Sequence, residues 1–170
     1  MTAFEAIIQR QSVRAYADQP VPPELIQQLL AAAFAAPSAN NSRPWEIIVV
    51  TDQVLREQLS QTHTWSGFIK HAPLVLVMCG NPRKSPGHWL EDVCAAIENV
   101  LLAAPALGLA SCWVAARGDA ENEREDHVRA ALGIPSDINV VALLPIGYPA
   151  SPLKPRSLRL IKEAIHRERW

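Results

Sequence analysis

Arg10-Gln11-Ser12-Val13-Arg14 sets two guanidiniums, an amide and a hydroxyl within five consecutive residues. An arginine fork suits a phosphate, gripping it through two parallel N–H donors, and serine adds a neutral donor. A solvated polar corner would have the same composition. Lys154-Pro155-Arg156, followed by Arg159 and stiffened by Pro149, Pro152 and Pro155, is a second compact basic group open to the same two readings. The segment Pro37-Ser38-Ala39-Asn40-Asn41-Ser42-Arg43-Pro44 holds more hydrogen-bonding groups than a connector requires. It leads straight into a strand, where loops of α/β sheets commonly hold ligands, although a plain polar loop would read alike.

Several chemistries lack their motif. The seven glycines never fall at G-x-G-x-x-G spacing, and no P-loop is present. His88-Trp89-Leu90-Glu91-Asp92 lacks the second histidine of an H-x-x-E-H zinc site and reads as an ordinary helix start, so no metal is expected. No serine sits in a nucleophile elbow. Cys79, Cys94 and Cys112 are an odd number without C-x-x-C spacing and lie in apolar runs, which suits neutral, reduced thiols.

The elements that must position these groups follow from periodicity. Thr2-Ala3-Phe4-Glu5 fits a capping box, with Phe4, Ile7 and Ile8 on one face of a short helix ending near Arg10. Pro22-Pro23-Glu24 opens a second helix with Leu25, Ile26, Leu29, Leu30 and Phe34 as its stripe, and Pro37 closes it. Residues 37–44 read as loop, 45–50 as a buried strand, 53–61 as a weak helix, 74–79 as a second buried strand and 80–87 as a turn-rich loop. The longest helix spans His88–Leu107, apolar around most of its circumference, with Pro105 kinking or ending its last turn and Gly108 terminating it. Ala110–Ala115 reads as a third strand, Asp119–Leu132 as a helix whose acidic run Glu121–Asp126 is a solvated first turn, and Val140–Leu144 as a fourth strand. In the tail, Leu158, Ile161 and Ile165 fit a helical stripe or an arm lying on another subunit. Strands alternate with helices, so the class is α/β or α+β with helices covering a small sheet.

The 170 residues suit one domain, 1–170, and 49% apolar residues supply its core without staples. A net charge of −1 provides no field to hold nucleic acid or an anionic membrane, so neither is an expected partner. The start MTAFEAIIQRQ has no apolar h-region, and Val100–Ala116 is interrupted by Pro105, Gly108 and Ser111; a cytoplasmic protein is expected.

Taken in order, several segments resemble the nitroreductase family of FMN-dependent oxidoreductases. Ile8–Tyr16 (IQRQSVRAY) is similar to that family's R-x-S-x-R opening, and Ala36–Trp45 (APSANNSRPW) to its A-P-S-x-x-N-S-Q-P-W loop. Ala106–Trp113 (ALGLASCW) resembles the end of its long helix and the strand after it. Leu132-Gly133-Ile134-Pro135, Gly147-Tyr148-Pro149 and Lys154-Pro155-Arg156 match later landmarks in order. Arg43 stands where the family usually has Gln, which puts its contact in question, and Pro105 replaces a helix former.

The resemblance implies an α+β fold with a small mixed or antiparallel sheet surrounded by helices, and a homodimer with active sites at its interface. FMN would be the cofactor, with Arg10, Ser12 and Arg156 on its phosphate, Lys154 close by and Gln11 among them. Arg14 would sit near N1 and O2 of the isoalloxazine, where positive charge favours the reduced flavin. Pro37, Ser38, Ala39, Asn41 and Arg43 would approach from the other subunit. At Val114-Ala115-Ala116 a backbone N–H would reach flavin N5. No catalytic acid is required of the protein. Trp65 and Phe68 fall in the segment expected to cover the flavin and touch substrate, or else are core aromatics. The implied reaction takes hydride from NADH or NADPH onto N5 and passes electrons to a nitroaromatic, a quinone or a related flat acceptor. A dehalogenase, an ene-reductase, an oxidase or a flavin carrier or sensor would use the same segments.

Overall fold

A computed structural model describes residues 1–118, 123–154 and 164–170. Its order is α1 (Ala3–Gln9), α2 (Pro23–Phe34), β1 (Trp45–Val50), α3 (Gln53–Leu59), β2 (Leu74–Gly80), α4 (Trp89–Ala106), β3 (Ala110–Ser111), β4 (Val114–Ala115), α5 (Glu123–Leu132) and β5 (Asn139–Gly147). The strands form one antiparallel sheet in the order β1-β2-β5-β3, with β4 also on β5. The fold is α+β, as the resemblance implied.

Alternation along β2 divides the core in two, because successive side chains of a strand point to opposite faces. Leu74, Leu76 and Met78 pack with Leu144 and Ile146 under the α4 residues Val93, Ala96, Ile97, Val100 and Ala104. Val75, Val77 and Cys79 face the other way, toward Leu59, Ile69, Val128 and Leu143. Helices thus cover both faces of β2 and β5, which explains their unbroken apolar runs. α4 also packs against α1 and α2, so its apolar circumference is accounted for.

Pro105 does not break α4. It sits in the last turn, where Gly108 at φ 72° reverses the chain. The Leu109 N–H then reaches the Ala104 carbonyl at 2.8 Å and the Gly108 N–H the Pro105 carbonyl at 3.1 Å, the two bonds of a Schellman ending.

Four expectations are corrected. The strand expected over 110–115 is two short pieces, β3 opposite Ile146–Gly147 and β4 opposite Ala142–Leu143. Pro145 lies between them on β5 and has no N–H to give, so the ladder is interrupted there and Cys112 donates to its carbonyl alone, at 3.2 Å. On α1 the Thr2–Glu5 capping box is present, but Ala6 is the buried residue while Phe4 and Ile7 are exposed. The 37–44 loop contains a 3₁₀ turn at Ala39–Asn41, and a second lies at Gly67–His71. Finally, Glu125 is buried rather than solvated: its Oε1 accepts from Val140 N–H at 3.0 Å and pairs with Arg129 at 2.8 Å. Arg129 also donates to the carbonyls of Ile134, Pro135 and Ile138, so a buried ion pair ties α5 to the start of β5. Leu158, Arg159 and Ile161, like Asp119 and Glu121, lie outside the described residues, whereas Ile165 is exposed. Among the described residues no helix is long and apolar enough to cross a membrane.

Candidate functional site

The segment after α1 runs beside the short edge of the sheet. Ser12 bridges Ser111 in parallel sense, and the Val13 N–H donates to the Ser111 carbonyl at 3.0 Å. Further on, Ala15 accepts from Ala150, Ala17 donates to Tyr148, and the buried Tyr16 hydroxyl lies 2.6 Å from the Val13 carbonyl and 3.0 Å from that of Pro145. Burial raises the Tyr16 pKa, so the phenol stays a proton donor and pins the segment. These bonds leave Ser12 and Arg14 exposed at one edge.

The same pinning brings Lys154 of the second basic group beside the first. Gln11 Nε2 donates to the Lys154 carbonyl at 3.1 Å across 143 residues of sequence. Between them lies a groove of about 400 Å³ whose lining includes Gln11, Ser12, Arg14, Pro149, Pro152 and Lys154. Arg10 borders a small adjoining recess with Leu101, Pro105 and Ser111. Burial pushes the Cys112 thiol up, and the positive charges of Arg14 and Arg10 oppose that rise. Arg156 lies outside the described residues.

Arg14 leads on to the aromatic segment, its guanidinium 5.9 Å from the centre of the Phe68 ring. Phe68 is half-buried and Trp65 is 50% exposed. Trp65 stacks on His63 at 4.6 Å between ring centroids, and His63 Nε2 lies 2.8 Å from the Ala115 carbonyl oxygen. Ala115 is exposed; Ala116 is buried and its N–H donates to Val141 O at 3.1 Å. Arg14 thus meets Phe68, while Trp65 is joined to Ala115 through His63, which composition did not single out.

Pro37, Ser38, Ala39, Asn41 and Arg43 occupy a different place. Asn40, Asn41 and Arg43 all have positive φ, at 53°, 54° and 46°. Asparagine tolerates that region and arginine rarely enters it, so the loop is strained and must be held. Ser38 Oγ accepts from the Arg43 N–H and Asn41 Oδ1 from Arg43 Nε, both at 3.0 Å. The Ala39 N–H donates to Asp92 Oδ1 at 2.9 Å. Asp92 belongs to the first turn of α4, while Arg10 and Gln11 lie against Pro105 in its last turn. Thirteen residues of helix separate Asp92 from Pro105, about 20 Å at 1.5 Å per residue. Among the described residues no group of three or more His, Cys, Asp or Glu side chains is placed to hold a metal.

This arrangement has counterparts among known proteins. The nitroreductase family's sequence profile matches residues 7–64 and 60–148. A putative NADH dehydrogenase/NAD(P)H nitroreductase of Methanothermobacter thermautotrophicus is 36% identical, over 100% of this chain and 88% of that protein. Among solved structures, a putative NADH dehydrogenase/NAD(P)H nitroreductase of Parabacteroides distasonis superposes with a TM-score of 0.93 at 35% identity, covering 99% of this chain and 98% of that one. An FMN-dependent nitroreductase of Clostridium difficile does so at 0.91 and 33% identity, covering 98% and 99%. With its fold, its ordered landmarks and these likenesses in agreement, the chain belongs to the nitroreductase family of NAD(P)H-dependent flavin oxidoreductases.

Proposed function

We propose that the chain, as one domain, works in a homodimer that holds FMN between the Arg10–Arg14 and Lys154 edge of one protomer and the 37–43 loop of the other, oxidises NADH or NADPH, and reduces a nitroaromatic or quinone. The observation that carries this reading is the separation along α4. Two sets of ligand-type residues stand at opposite ends of one helix, and a second copy would bring the loop of one chain to the basic edge of the other.

The donor set suits the cofactor. The groove between Gln11 and Lys154 offers hydroxyl, amide and cationic donors of the kind a phosphate needs, and the exposed Arg14 guanidinium lies beside it. When bound, FMN supplies the two-electron chemistry, taking hydride at N5 and passing electrons on. The protein's part is binding, orientation and charge. Arg10, Ser12, Lys154 and Arg156 hold the phosphate. Arg14, braced over Phe68, sets a positive charge where the ring becomes electron-rich. Ala115 offers its backbone at the strand end, and Trp65 offers an aromatic face to a flat acceptor. Electrons enter and leave in separate half-reactions, a ping-pong route.

Anaerobic mixing of the FMN-loaded protein with NADH or NADPH tests the reading. Rapid bleaching of the yellow flavin, and its return on adding 1,4-benzoquinone or a nitrofuran, is the expected result. A protein that takes up no FMN overturns it; loaded protein that neither pyridine nucleotide bleaches points to a flavin carrier or sensor.

A further inference from the structure

Asp92, in the first turn of α4, is the only aspartate buried among the described residues, at 6% exposure, and its side chain bonds to two loops rather than to its own helix. Its Oδ1 accepts the Ala39 N–H at 2.9 Å. Its Oδ2 accepts from Ser85 Oγ at 2.8 Å and lies 3.5 Å from Ser42 Oγ. Three donors from two loops, residues 37–44 and 80–88, thus converge on one carboxylate at the positive end of α4, which favours negative charge there. The loops are also joined directly, Asn81 N–H to Pro44 O at 2.8 Å. The loop held this way carries the three residues at positive φ, a conformation that persists only where surrounding bonds over-determine it.

We infer that Asp92 is a positioning residue for flavin binding: it clamps the 37–43 loop in its strained shape, so that Ser38 and Asn41 meet the cofactor of the partner protomer without an ordering cost at binding. This rests on the proposed role of that loop. Asp92 itself touches neither flavin nor substrate. Its effect therefore falls on FMN affinity, and saturating FMN restores turnover.

The test is FMN titration of the full-length dimer, with turnover at saturating FMN. Asp92→Ala strands one N–H and two hydroxyls and raises the FMN Kd about tenfold or more. Asp92→Asn keeps an acceptor for Ala39, and its amide can donate to the serine hydroxyls, so it stays within about threefold of wild type. Ala39→Pro removes the donor instead, after a Ser38 already extended as a residue before proline must be, and serves if Asp92→Ala does not fold. It too raises the Kd, and the two losses together are less than additive, since the Ala39–Asp92 bond is broken in both. An unchanged Kd in Asp92→Ala or Ala39→Pro, or additive losses in the double variant, overturns the inference. Wild-type protein that binds no FMN instead refutes the cofactor reading.

Discussion

His63 and Ala115 are joined across 52 residues by a 2.8 Å contact from Nε2 to the carbonyl oxygen, and the same imidazole stacks on Trp65. The backbone at the end of β4 and the most exposed aromatic of the 63–68 segment are therefore one mechanical unit. If Trp65 supplies the face on which a flat acceptor rests, the imidazole fixes that face relative to the flavin.

Trp65→Ala is expected to raise the KM for 1,4-benzoquinone about two- to tenfold, the value of one aromatic stacking contact. Ferricyanide, which has no ring to stack, is reduced at the wild-type rate. His63→Ala reproduces the effect by freeing the indole. Steady-state kinetics with the two acceptors check this, and equal effects on both would remove Trp65 from the acceptor site.

Arg10→Ala combined with Arg156→Ala is expected to weaken FMN by at least about a hundredfold, the loss of the two charge-assisted hydrogen bonds that the proposed site gives one phosphate. Fluorescence titration measures it. Retention of FMN by the double variant would show that the phosphate lies elsewhere.

The pair Glu125–Arg129 predicts stability rather than activity. Glu125→Ala leaves the Val140 N–H without its acceptor and the largely buried Arg129 guanidinium without its carboxylate partner, and costs about 3 kcal/mol, read from urea unfolding. Glu125→Gln keeps an acceptor for Val140 and costs less.

Burial pushes the Cys79 thiol from 9.0 up to about 12, and Cys112 is raised for the same reason. Between those values the unfolded chain has released the proton that the folded chain keeps, so the folded state binds more protons and stability falls as pH rises. Thermal melting is expected to drop as pH rises from about 9 toward about 12, and less steeply in Cys79→Ala. A melting temperature that falls equally in both would assign the loss to other groups.

The basic edge was legible because residue type carries it: two arginines and a serine in five positions, and a lysine near the other end of the chain. The 37–44 loop was legible by composition. His63 and Asp92 were not, since their roles lie in contacts 52 and 53 residues away that no local pattern encodes. Asp92 looked like part of an ordinary helix start, which it also is. Local β propensity at 110–115 was read correctly but could not register the missing donor of Pro145, more than thirty residues downstream, and so the strand broke in two. Glu125 looked solvated among its acidic neighbours until Arg129 and Val140 were seen to enclose it.

The central claim is that each site is shared by two chains, and complementation measures it directly. One variant carries Arg10→Ala with Arg156→Ala, the other Ser38→Asp with Asn41→Asp, and each alone should bind no FMN. Co-expressed, half of the dimers pair one of each, and each mixed dimer regains one intact site, so about one site in four takes up FMN. A mixture that binds no more FMN than either variant alone would contradict the shared site.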